Sequence, residues 1–266
     1  MSNSYPALIS LDDEAKIIRS EDVMIFAPEY NTKGRKDATG AFHVGVERFM
    51  RYYELDEACL NLIDNSNPPK WQAQQLLSRM AQSRPCPPQI YVYFCHGFDW
   101  GIQFGLRSPT PNKPITAQNK KDFADYLGLV SRHKAPINIY YACSTGDDPD
   151  DDPLTAPGFG DFSFGDTVRD ELCRLGCTYN RVVSHYSAGH AFYNPDVIFF
   201  DGFGSPFGGH GGQLVARTST RESRAFGRLL KMKPGDEIAG VPAGFVWRFP
   251  FMTIADIHNQ VVKALV

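Results

Sequence analysis

Residues 90–97 have the sequence IYVYFCHG, and residues 137–143 have the sequence INIYYAC. Each stretch begins with a short run of aromatic and β-branched residues, which is typical of a strand buried on both faces of a parallel sheet. The first run ends at His96 and the second at Cys143. Both strands therefore bring a side chain capable of proton or thiol chemistry to an edge of the predicted sheet.

The rest of the chain alternates strands and helices around these two stretches. The pattern predicts strands at 23–28, 181–184, 197–200 and 246–252, helices at 41–53, 71–81, 117–131, 165–175, 220–231 and 254–265, and long loops at 98–114 and 144–162. Strands that alternate with helices of ten to fifteen residues form βαβ units. The sequence therefore predicts an α/β fold, a doubly wound and mostly parallel sheet with helices on both faces.

A single domain over residues 1–266 is expected from the length and the 42% hydrophobic content. Its core is predicted at about residues 22–201, with a C-terminal extension over 202–266 that packs on or near the core. In sheets of this class, ligands bind beyond the carboxyl ends of the strands. His96 and Cys143 both fall at such ends.

Charge and composition restrict the partners. The 27 basic and 30 acidic residues give a formal net charge of −3, which does not favour nucleic acid. Residues 1–16 do not resemble a secretion signal, and no apolar run is long enough for a membrane span, so a cytoplasmic location is expected. The six cysteines are too sparse for a disulfide scaffold and are expected to be reduced. The oligomeric state stays open.

The two strands that end at His96 and Cys143 are separated by one loop, one helix and one turn, the length of a crossover between neighbouring parallel strands. Neighbouring strands lie about 4.8 Å apart, so the imidazole and the thiol are expected to face one another across a cleft. In that position an imidazole can assist a thiol or protonate a leaving amine. Alternation along the first strand assigns Cys95 to the core instead.

An apolar strand ending in His-Gly, followed by an apolar strand ending in Ala-Cys, resembles the caspase-like (clan CD) cysteine peptidases. The resemblance covers about residues 23–201 and implies a three-layer sandwich that acts as a thiol protease on polypeptides. It implies that Cys143 is the nucleophile, that His96 is the general acid/base, and that the backbone N–H groups of Gly97 and Cys143 bind the oxyanion. Tyr141 departs from both the caspase and the metacaspase patterns, so the substrate preference of neither group can be transferred.

The loop after Cys143 contains five carboxylates between Asp147 and Asp152. One interpretation is a substrate-binding pocket in which Asp147 and Asp148 hold a basic side chain of the substrate. A Ca²⁺ site in the same loop is a second interpretation, and a solvated surface loop is a third. No other cofactor or metal is expected.

Two further segments are candidates for substrate binding. The loop after the first strand begins at Glu29 and contains Arg35, where the family resemblance places an arginine that holds an acidic substrate side chain. His190 lies in a loop beyond the strand at 181–184, at the same predicted edge. We favour a basic preference, with acidic specificity kept as an alternative.

Other patterns have less support. Cys173 and Cys177, followed by His185 and His190, resemble a zinc-ligand string, but buried helical thiols explain the cysteines equally well. The segment 142–146 is loosely similar to the nucleophile elbow of an α/β-hydrolase esterase, with His190 or His210 as the base, although Tyr141 and the absence of a following helix count against it.

A non-catalytic binding module of the same fold is the remaining alternative. It would act through loops and through a basic stripe at helical spacing. The members of this stripe are Arg217, Arg221, Arg224 and Arg228.

Overall fold

The computed structural model describes residues 19–30, 42–43, 46–47, 49–50, 53–82, 86–98, 100–105, 115–116, 120–142, 144–146, 162–185, 197–202, 204–209, 213–216, 237–238 and 241–242. No helix within these ranges is both long enough and apolar enough to cross a membrane. The helix predicted at 220–231 and the strand and helix predicted at 246–265 lie outside the described residues.

The described strands are, in chain order, β1 (Val23–Pro28), β2 (Leu60–Ile63), β3 (Ile90–Phe94), β4 (His96–Phe98), β5 (Gly101–Gln103), β6 (Ile115–Thr116), β7 (Ile137–Tyr141), β8 (Arg181–His185), β9 (Val197–Asp201), β10 (Gln213–Ala216), β11 (Glu237–Ile238) and β12 (Val241–Pro242). Seven of them form one sheet in the order β10-β9-β8-β7-β3-β1-β2. The ladders from β2 across to β8 are parallel, and β9 is antiparallel to both of its neighbours. The prediction of an α/β fold with a mostly parallel sheet is confirmed.

Three α-helices are described over their full lengths, α1 (Pro69–Ala81), α2 (Lys120–Val130) and α3 (Phe164–Arg174). Helix α1 begins two residues before the predicted start, with proline at its first position, where the missing N–H costs nothing. The side chain of Ser163 caps α3 by accepting a hydrogen bond from the backbone N–H of Asp166, and Gly176 ends the helix region with φ +86°. These local capping residues explain why the ends of α3 could be predicted from the sequence to within one residue.

Apolar side chains line both faces of the sheet. In β1, Met24 and Phe26 belong to a core cluster that includes residues of α1, α2 and α3. Val23, Ile25 and Ala27 belong to a second cluster, which includes Phe42, Val46 and Phe49 from the helical residues at 42–50. Helical residues therefore pack on both faces, because successive strand side chains point to opposite sides.

Three parts of the sheet structure were not predicted from sequence. Strand β2 forms one edge of the sheet and β10 forms the other. Because β10 follows residue 201, the sheet includes residues beyond the predicted end of the core. The predicted loop at 98–114 was wrong in part, because β4, β5 and β6 form a separate three-stranded antiparallel sheet. We call residues 96–105 with β6 the arm. Its strands have only two or three residues each, so hydrophobic periodicity could not reveal them.

Candidate functional site

The candidate site lies at the carboxyl ends of β3 and β7, the two adjacent strands near the centre of the sheet. Phe94 and Tyr141 are direct partners in the parallel ladder, and the N–H of Cys95 donates to the carbonyl of Tyr141 at 3.4 Å. His96 follows Phe94 by two residues, and Cys143 follows Tyr141 by two residues. The predicted adjacency of the two strands is confirmed, whereas Cys143 itself lies outside the described residues.

His96 leaves the central sheet and begins the arm. Its ring is partly exposed and packs edge-on against Phe42, with the ring centroids 5.0 Å apart and the planes at 82°. Phe42 belongs to the core cluster on the face that also contains Phe94 and Tyr141. The imidazole is therefore held on that face of the sheet by an apolar wall and still reaches solvent.

Gly97 is buried within β4, where it pairs with Ile102 of β5. In an antiparallel ladder this pairing fixes the backbone direction of Gly97. Cys95 is fully buried in the core, as predicted from alternation. The arm therefore begins immediately after a residue that is anchored in the core.

The chain after position 143 makes a tight turn at the sheet edge. Ser144 has φ +52°, a left-handed conformation that is uncommon for a residue with a side chain. The hydroxyl of Thr145 donates to the carbonyl of Ala142 at 3.2 Å, and the N–H of Gly146 donates to the carbonyl of His185 at 2.9 Å. The turn is thus fixed between the ends of β7 and β8.

The same turn contacts the start of α3, since the N–H of Gly165 donates to the carbonyl of Thr145 at 2.8 Å. A side chain at Gly146 would place its Cβ 3.1 Å from the Cβ of Ser184. This close approach requires glycine or a shift of the neighbouring strand. Residues 144–146 are not helical, unlike the segment that follows the nucleophile in an esterase elbow.

Of the residues predicted to bind substrate, Glu29 lies in the part of the chain that the structure describes. It is exposed, and its N–H donates to the carbonyl of Ile63 at 2.8 Å. Phe26 pairs with Tyr93, so Glu29 and His96 each follow a paired residue by three positions and lie beyond neighbouring strands. A hydrogen bond to the Glu29 carboxylate raises the pKa of the Tyr30 hydroxyl. Arg35, Asp147, Asp148 and His190 lie outside the described residues.

The cysteines of the zinc-ligand pattern have other partners. Cys173 accepts a hydrogen bond from the side-chain amide of Asn180 at 3.2 Å, and Cys177 donates to the carbonyl of His133 at 3.4 Å. His185 is buried, with its ring 6.1 Å from that of Tyr141. Across the ranges that the structure describes, no three His, Cys, Asp or Glu side chains are grouped to hold a metal ion.

No protein-family model matches the chain, and no curated protein or solved structure is significantly similar to it.

Proposed function

We propose that this protein is a caspase-like cysteine endopeptidase that cleaves polypeptides through an acyl-enzyme on Cys143. The observation that carries the proposal is the pairing of Phe94 with Tyr141 in two adjacent parallel strands, because His96 and Cys143 follow these two residues by the same two positions in the sequence. An imidazole and a thiol that follow such strands on the same side are suited to nucleophilic catalysis.

In the proposed reaction Cys143 gives its thiol proton to His96, and the resulting thiolate attacks the carbonyl carbon of the scissile peptide bond. The negative charge that develops on the carbonyl oxygen is stabilised by the backbone N–H groups of Gly97 and Cys143, each contributing about 3 to 4 kcal/mol. The C–N bond then breaks, and His96 donates a proton to the departing amine. Water, deprotonated by His96, hydrolyses the thioester and restores the thiol.

Two features of the described residues support these roles. His96 is partly exposed and oriented by Phe42, so it can exchange protons with substrate and solvent without losing its position. The turn at Ser144, with its positive φ, turns the chain sharply next to the proposed nucleophile. Strained backbone of this kind is concentrated at functional sites.

We further propose that the substrate residue preceding the scissile bond is basic. Asp147 and Asp148 follow the nucleophile by four and five positions, and the exposed Glu29 lies beyond the strand next to that of His96. Carboxylates that a bound substrate shields from water bind Arg or Lys strongly and discriminate against neutral side chains. A peptide library varied at this position tests the preference, and a preference for acidic residues would instead favour a role for Arg35.

The proposed function is tested with Cys143→Ala, compared with Cys86→Ala at an exposed cysteine that precedes the amino end of β3, the end opposite the site. Cleavage of the library should be lost in the first variant and retained in the second, with both proteins folded. Retained cleavage in Cys143→Ala, or a wild-type protein that cleaves no member of the library, would refute the proposal.

A further inference from the structure

The arm that begins at His96 is anchored in the core of the protein by residues within and next to its strands. In the arm, His96 is the direct partner of Gln103, and the next residue, Phe104, is fully buried. Ile102, Phe104 and Ile115 belong to the core cluster that α1 and α2 cover. The position of His96 therefore depends on where the second strand of the arm is held.

Gln72 of α1 holds that strand at a specific point. Its side chain is fully buried, its Oε1 accepts a hydrogen bond from the N–H of Phe104 at 3.2 Å, and its Nε2 donates to the carbonyl of Asn67 at 2.8 Å. One amide thus connects the arm to the segment between β2 and α1. Since a buried N–H left without a partner is costly, the Phe104 N–H favours this position of the arm.

The arm also fits tightly against Asn65, which precedes α1. A Cβ on Gly105 would lie 2.9 Å from the carbonyl oxygen of Asn65. The Asn65 side chain in turn accepts from the N–H of Tyr30 at 2.8 Å and donates to the carbonyl of Tyr30 at 3.0 Å. The arm and the segment after β1 therefore both contact Asn65.

We propose that Gln72 is a positioning residue for His96, acting through the N–H of Phe104 and the strand paired with His96. The inference rests on the proposed function, because it assigns Gln72 a role in peptide cleavage. Gln72 does not touch the substrate. It fixes the arm so that the imidazole stays within reach of Cys143.

The first test replaces the amide without changing the size of the side chain much. Gln72→Met should lower kcat by about 10-fold to 100-fold while KM changes by less than about 2-fold, because small displacements of catalytic groups reduce rates strongly. The matched control is Gln75→Met in the same helix. Its Oε1 accepts a hydrogen bond at 2.9 Å from the N–H of Asp64, which lies between β2 and α1 and not in the arm. The control should keep kcat within about 2-fold.

A second pair of variants disturbs the same junction without altering Gln72. Gly105→Ala should displace the arm and lower kcat, because its Cβ would meet Asn65. Gly128→Ala, in α2, is the control, since a Cβ there has no neighbour within 4 Å. An unchanged kcat in both Gln72→Met and Gly105→Ala would overturn the inference, as would an equal loss in the control variants.

The position of the imidazole is measured separately from activity. The His96 ring signals in the NMR spectrum are assigned by their absence in His96→Asn. They should shift in Gln72→Met and stay unchanged in Gln75→Met. Unshifted signals would refute the positioning role even if the enzyme is active. Shifted signals in a protein whose wild type cleaves no peptide would refute the proposed function alone and leave the link between Gln72 and His96 intact.

Discussion

Phe94 and Tyr141 are direct partners in the ladder between β3 and β7, and their rings stack with centroids 4.6 Å apart and planes at 18°. This stacked pair is the last pair of the ladder between β3 and β7, and His96 and Cys143 each come two residues later in the sequence. The pair therefore links the packing of the core to the geometry of the proposed site.

Replacing His96 should abolish most of the proposed activity. His96→Gln is expected to lower kcat by about 10²-fold to 10⁴-fold, the usual contribution of a general acid/base. The control is His133→Gln, at a half-buried histidine that precedes β7 at the opposite end of that strand. Single-turnover kinetics on a peptide substrate measure both. Equal rates in the two variants would show that His96 takes no part in proton transfer.

Alkylation should distinguish Cys143 from the other cysteines. Burial raises the pKa of the Cys173 and Cys177 thiols, so at neutral pH they contain little thiolate and should react slowly with iodoacetamide. Cys143 should be labelled first and the exposed Cys86 next, as followed by peptide mass spectrometry over time. Labelling of Cys143 no faster than that of Cys173 would argue against an activated nucleophile.

A buried tyrosine cluster should make the protein sensitive to alkaline pH. The Tyr126 hydroxyl contacts those of Tyr93 and Tyr140 at 3.0 and 2.6 Å, and burial raises the pKa of all three phenols. The folded state keeps protons that the unfolded state releases above about pH 10, so stability is complete below that pH and falls as pH rises. Urea unfolding between pH 9 and pH 11 measures the loss.

Tyr126→Phe tests the origin of this sensitivity. The variant has one buried phenol fewer, so its free energy of unfolding should fall less steeply with pH above about pH 10. The difference in slope from the wild type should be about 1.4 kcal/mol per pH unit. The variant should also lose about 1 to 3 kcal/mol near neutral pH, since its hydrogen-bond partners stay buried. Tyr179→Phe, at a tyrosine that is 68% exposed, is the control and should show neither effect.

Arg169 should contribute strongly to the free energy of unfolding. Its guanidinium is fully buried between Asp166 and Asp170, and Nη2 donates to the carbonyl of Gly209 at 2.7 Å. Arg169→Met leaves the buried carboxylate of Asp166 and the partly exposed carboxylate of Asp170 without their cation and should cost about 3 to 5 kcal/mol. Arg174→Met, on the same helix at an exposed ion pair, should cost less than about 1 kcal/mol. Thermal unfolding compares the two.

The sequence predicted the elements whose signals are local. The buried runs of β1, β3 and β7 are continuous and apolar, and α3 has a capping serine and a closing glycine, so each could be recognised from its own residues. For the same reason, the sequence also predicted that His96 and Cys143 each follow one of these buried runs. The substrate preference could not be transferred from the caspases or the metacaspases, because Tyr141 differs from the patterns of both groups.

Strand β2 and the arm could not be predicted, because their strands are short and obtain their stability from partners distant in sequence. Gln72 illustrates the difficulty, since a glutamine within a helix carries no signal that its amide meets Phe104, 32 residues later. Burial and hydrogen bonding of that kind exist only once the chain has folded.

By itself, the sequence determined the fold class and the two residues proposed to do the chemistry, because periodicity and strand ends are properties of neighbouring residues. Tertiary structure alone decided the register that pairs Phe94 with Tyr141, that His96 begins a separate small sheet, and that α1 supports that sheet. These relationships depend on which distant segments meet when apolar surface is buried and backbone groups find partners.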